Sequence, residues 1–118
     1  GDTDLRQLRF GIEVEMTGIT RERASQVAAD FLGGQSRYLG TYYKTYAATD
    51  TQGREWKFTF DGSILAEKKE HGERVSADAT YKTEMVSPTG CAGASRVFVR
   101  FAYSHFRETV ARCPRFST

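Results

Sequence analysis

The sequence predicts an α+β domain: a mostly antiparallel β-sheet with two helices packed on one of its faces. Three observations carry this. Residues 8–16 alternate, with Leu8, Phe10, Ile12, Val14 and Met16 on one set of positions and Arg9, Gly11, Glu13 and Glu15 on the other. Period two marks a half-buried strand. Ala24, Val27, Ala28, Phe31 and Leu32 recur at helical spacing instead. From Thr41 to Val86, runs rich in β-branched and aromatic residues are separated by short turns, and short turns join antiparallel neighbours.

The elements follow in order. The first strand covers about 8–16. Thr20 is a good N-cap for a helix over about 20–32, with Glu22 in its first turn and Gly33-Gly34 at its end. Position N3 is Arg23, so there is no capping box. A strand begins near Thr41 and runs to Thr49. Asp50-Thr51-Gln52-Gly53 turns it into a second, Glu55 to Phe60, with Trp56, Phe58 and Phe60 on the core side. Ile64 to Lys69 is a short strand that ends at the turn Glu70-His71-Gly72-Glu73. Thr80 to Val86 is the last strand, closed by Pro88, which has no N–H for a ladder. Val97, Phe98, Phe101, Ala102, Phe106 and Val110 place a second helix at about 96–111.

A chain of 118 residues suits a single domain, 1–118, with one core. Its net charge of +2 gives no pointer to nucleic acid, although the charge is uneven. Residues 1–88 hold 12 Lys/Arg and 14 Asp/Glu, whereas residues 89–118 hold five Arg and one Glu. Cys91 and Cys113 lack the paired spacing of a zinc site and read as reduced thiols of a cytoplasmic protein. No apolar run is long enough for a membrane span. The expected partners are therefore neither nucleic acid nor membrane.

Glu13 and Glu15 are the first residues that suggest chemistry. On one strand face they stand roughly 7 Å apart, where like charges repel. A divalent cation such as Mg²⁺ removes that cost, because hard cations prefer oxygen ligands. A solvated acidic strand face fits the pattern as well.

Phe10-Gly11-Ile12-Glu13-Val14-Glu15-Met16, then Asp61-Gly62-Ser63-Ile64, then Glu84-Met85-Val86-Ser87-Pro88 stand in one order along the chain. Together with Arg54-Glu55-Trp56-Lys57 and Ala66-Glu67-Lys68-Lys69, they resemble the amidoligase family over residues 8–88. These carboxylate-amine ligases are similar in fold to glutamine synthetase and glutamate-cysteine ligase. The resemblance implies that ATP phosphorylates a small-molecule or peptide carboxylate and that an amine then displaces phosphate. It implies Mg²⁺ and ATP as cofactors, Glu13, Glu15 and Glu84 as metal ligands, and Asp61 and Ser63 as a catalytic turn near the substrate.

The chain also departs from the family pattern. No Gly-x-His-x-His segment follows Pro88, and residues 89–118 read as a divergent Arg-rich helix, from a frame change or a truncation. His71 is expected in solvent, and His105 within the tail helix. On this ground the chain is expected to bind Mg-ATP weakly and to turn over slowly. The alternative is a non-catalytic truncated domain with a binding or structural role.

Overall fold

The structure is a computed structural model that describes residues 11–88 and 115–117. The alternating run forms strand β1, Gly11–Met16. Helix α1 follows at Arg21–Leu32. The Thr20 hydroxyl accepts a hydrogen bond from the Arg23 N–H, and Gly33 closes the helix in the left-handed conformation. Both caps stand where the sequence places them.

Strands β2 (Ser36–Tyr38) and β3 (Tyr46–Thr49) come next, then β4 (Glu55–Phe60). The expected strand beginning near Thr41 is therefore shorter. Residues 39–45 form a loop instead, because Thr41 folds the chain back on itself. Its carbonyl accepts from the Lys44 N–H at 2.9 Å and its hydroxyl from the Thr45 N–H at 3.1 Å. Lys44 adopts a φ of 52°, which ends any extended run.

Strands β5 (Glu67–Glu70) and β6 (Glu73–Ser76) form a separate hairpin. The turn at 70–73 is as expected, with His71 exposed. Both central residues, His71 and Gly72, have positive φ, the requirement of a tight primed turn. The second arm, β6, was not visible in the sequence: Glu73-Arg74-Val75-Ser76 lacks a clear alternation. Residues Ala79–Tyr81 are a single 3₁₀ turn, so the expected strand from Thr80 narrows to β7, Thr83–Val86. Strand β8 is Arg115–Ser117. The helix expected at 96–111, and with it His105, Cys91 and Cys113, lies outside the described residues.

The main sheet runs β2-β3-β4-β7-β1-β8, and each of its described pairs is antiparallel. Val14, Met16, Ala48, Trp56, Phe58 and Met85 leave one face and pack against Ala24, Ala28 and Ala29 of α1. Trp56 and Phe58 are fully buried, which makes this face the main store of apolar stabilisation. The helix is turned relative to the expected stripe. Ala24, Ser25, Ala28 and Ala29 are its buried residues, Val27 and Leu32 are half-buried, and Phe31 is 39% exposed. Small side chains let the helix come close to a sheet already crowded by Trp56 and Phe58. The bulky Phe31 falls to the flank.

The structure thus shows an α+β domain with a mostly antiparallel sheet and, among the described residues, one α-helix. No described helix is long and apolar enough to cross a membrane.

Candidate functional site

Because side chains alternate along a strand, the residues between those of the core occupy the opposite sheet face. Glu13 and Glu15 lie there. In the register, Glu15 stands directly opposite Glu84 of β7, and Glu84 stands opposite Thr59 of β4. Glu13 is two pairs further along, opposite Val86 on one side and Arg115 on the other.

Asp61 follows β4 immediately, and the chain turns there. Its side chain accepts hydrogen bonds from the Ser63 N–H at 2.9 Å and the Ser63 hydroxyl at 2.7 Å, both on Oδ1. Its carbonyl accepts from the Ile64 N–H. The Lys82 ammonium donates to the Gly62 carbonyl at 3.1 Å, tying this turn to the start of β7. These bonds hold the Asp61 carboxylate in place.

One oxygen each from Glu15, Asp61 and Glu84 comes together, all within 4.8 Å of one another. Glu15 is buried, and the other two are half-buried. Two ligands on opposite sides of Mg²⁺ stand about 4.2 Å apart, twice its usual oxygen distance of about 2.1 Å. The trio therefore fits a hard divalent cation after small side-chain adjustments. Its all-oxygen chemistry disfavours zinc or copper.

The grouping partly matches the residues expected from the sequence. Glu15 and Glu84 come together as expected. Glu13 shares their face but is not in the converging group. Asp61 was expected near the substrate and is instead the third carboxylate, with Ser63 as its immediate anchor. The sequence shows the Asp61-Gly62-Ser63 turn. It does not show that β4 lies beside β7, which is what carries the turn to Glu84.

Beside the trio, on the same open face, a hollow of about 300 Å³ is lined by Thr45, Lys57, Thr59 and Val86 among others. The Thr45 and Thr59 hydroxyls are hydrogen-bonded at 3.1 Å. Lys57 puts a positive charge within the hollow, next to Glu84's neighbour Val86. The place of Lys57 on the acidic face follows from the alternation of Trp56, Phe58 and Phe60.

The arrangement offers a hard-cation site next to a cationic hollow, on a face that α1 does not cover. No curated protein and no solved structure matches the chain. A model of the family "Putative amidoligase enzyme" matches residues 6–112. It thus runs past Pro88, where the sequence resemblance ended. The match spans most of the chain, and the chain belongs to the amidoligase family.

Proposed function

We propose that this chain is an ATP- and Mg²⁺-dependent carboxylate-amine ligase unit. In this proposal the sheet serves as the platform that glutamine synthetase-like ligases build. The carrying observation is the convergence of Glu15, Asp61 and Glu84 in a chain of the amidoligase family. Glu15, Glu84 and Asp61 would hold Mg²⁺, and Glu13 would support it from the next position on β1. The cation supplies neutralisation of triphosphate charge.

The chain's own residues do the rest. Ser63 orients Asp61 through two hydrogen bonds, so the carboxylate needs little reorganisation when loaded. Lys57 attracts an anionic group of a substrate into the hollow beside the trio. There, the substrate carboxylate oxygen attacks the γ-phosphorus of ATP and ADP leaves. The amine nitrogen then attacks the acyl carbon, phosphate departs with the C–O electron pair, and the nitrogen loses a proton. Positioning and charge stabilisation are the protein's contribution to both steps.

A coupled ADP-release assay over a panel of carboxylic acids and amines tests this. The expected result is Mg²⁺-dependent turnover that falls at least about a hundredfold in Glu15→Gln and Glu84→Gln. Ser63→Ala is expected to lose less, about tenfold, since it removes an orienting group only. Turnover that survives Glu15→Gln would overturn the assignment. Absence of ADP release together with no Mg²⁺ binding in calorimetry would favour a non-catalytic role.

A further inference from the structure

The helix-side face carries a second feature that the ligase proposal does not use. A cleft of about 460 Å³ is lined by Arg21, Tyr42, Tyr43, Lys44, Phe60 and Thr80, among others. Three local rules are broken there together. Arg21 is the first residue of α1, where a cation opposes the helix dipole. Its Nη1 nitrogen is buried and has no hydrogen-bond partner among the described residues, a costly state for a guanidinium. Lys44 holds a positive φ of 52°, which lysine rarely adopts. Places where several local preferences fail at once are where function is expected.

The walls are aromatic. The Tyr43 and Phe60 rings stack at 5.9 Å and 13°, and Tyr42 meets Tyr43 edge-on at 5.0 Å. The Arg21 guanidinium lies over Phe60, 5.9 Å from the ring centre. Tyr42 is 90% exposed, an open flat surface at the rim. The loop that presents these groups is already shaped by the hydrogen bonds of Thr41. Glu22 belongs to an adjoining cleft of about 250 Å³ that shares Arg21, Lys44 and Thr80. Burial and then the nearby Glu22 carboxylate raise the pKa of the Tyr46 hydroxyl. Two cations against one carboxylate leave positive charge in excess.

We propose that the Arg21–Lys44 cleft binds an oxyanion, a carboxylate or a phosphate, carried on a planar ring. The two basic groups pair with the anion, and the exposed Tyr42 ring stacks on its body. Phe60 immediately precedes Asp61, so the cleft adjoins the acidic trio along the chain while facing the helix side of the sheet. The cleft shares Tyr43 with the hollow beside the trio, but oxyanion binding in it does not depend on the ligase chemistry.

The test is a titration of the full ¹⁵N-labelled chain with benzoate, phenyl phosphate, inorganic phosphate and benzyl alcohol. Shifts centred on Arg21, Tyr42, Lys44 and Thr80 are expected, with both ring-bearing anions at least about tenfold tighter than the other two probes. Either order of benzoate and phenyl phosphate supports the proposal and identifies the favoured oxyanion. Arg21→Gln and Lys44→Gly should each weaken binding about tenfold, as for loss of one charge-assisted contact. Both should leave the thermal midpoint unchanged or raised, since one removes a cation from the helix start and the other relieves a strained φ. A merely structural role would lower it. Equal binding of benzyl alcohol, wild-type affinity in Arg21→Gln, or shifts confined elsewhere would overturn the proposal.

Discussion

Asp50 is buried at the turn between β3 and β4, and its carboxylate accepts four hydrogen bonds. The Gln52 N–H donates at 2.9 Å, the Arg54 N–H at 3.0 Å, the Arg54 Nε–H at 2.7 Å and the Trp56 indole N–H at 3.1 Å. Burial works against its ionised form, but the bonds from Trp56 and Arg54 outweigh it and hold its pKa below the ordinary value. A depressed carboxylate adds stability above its unfolded pKa of about 3.9, and that stability is lost as pH falls through the lower folded value. We expect Asp50→Asn to cost about 2–3 kcal/mol in urea unfolding at neutral pH, because it weakens charged hydrogen bonds to a buried indole. The gap between wild type and variant should close below about pH 4. A gap that stays constant with pH would mean that the charge is immaterial. The sequence shows Asp50 as turn chemistry. Its bond to Trp56, six residues on, depends on the indole pointing inward and needed the structure.

At the scale of elements, α1 shows how much a pattern conveys. Its span, its Thr20 cap and its glycine end are readable because they are local. Which face turns inward is set by the partner. Trp56 and Phe58 fill the space over the sheet, so the alanines close on them and Phe31 is displaced to the flank. Two substitutions test this. Phe31→Ala should cost only about 1 kcal/mol, well short of the 3–5 of a buried phenylalanine. Ala28→Leu should cost about 1–3 kcal/mol by overpacking, although it raises hydrophobicity. If Phe31→Ala proves the more costly of the two, the helix is turned the other way. Gly34 follows the same logic of close approach. A Cβ there would overlap the Thr49 carbonyl, so Gly34→Ala must push the connection after α1 away from the end of β3. By contrast, the loop at 39–45 and the strand β6 were hidden, one by side-chain hydrogen bonds of Thr41 and the other by a strand too polar to alternate.

The whole molecule separates two kinds of surface with a single sheet. One face is closed by α1, and the other carries Glu13, Glu15, Glu84, Thr59 and Lys57. The order β4-β7-β1 is what gathers Glu15, Glu84 and Asp61, from segments far apart in the chain. That non-local order explains why the sequence yields Glu15 and Glu84 as candidates and yet gives Asp61 a different role. It also has a thermodynamic consequence. Glu15 and Glu84 stand directly opposite each other, and like charges so placed destabilise a sheet by a fraction of a kcal/mol up to about 1. Glu84→Gln should therefore raise the stability of the metal-free chain slightly. If the trio holds Mg²⁺, the ion ties together β1, β7 and the turn after β4, so global unfolding must respond. At a free concentration one hundred times the dissociation constant the gain is about 2.7 kcal/mol, a rise of several degrees in the midpoint for a domain of this size. Calorimetry with MgCl₂ against NaCl of equal ionic strength separates this from screening, which relieves the same repulsion without any site. The expected outcome is a Mg²⁺-specific rise in wild type that vanishes in Glu84→Gln and in Asp61→Asn. A rise of equal size in both variants would place the ion elsewhere. A rise equalled by NaCl would reduce the trio to a repulsive patch, because only a coordinated ion distinguishes Mg²⁺ from ionic strength.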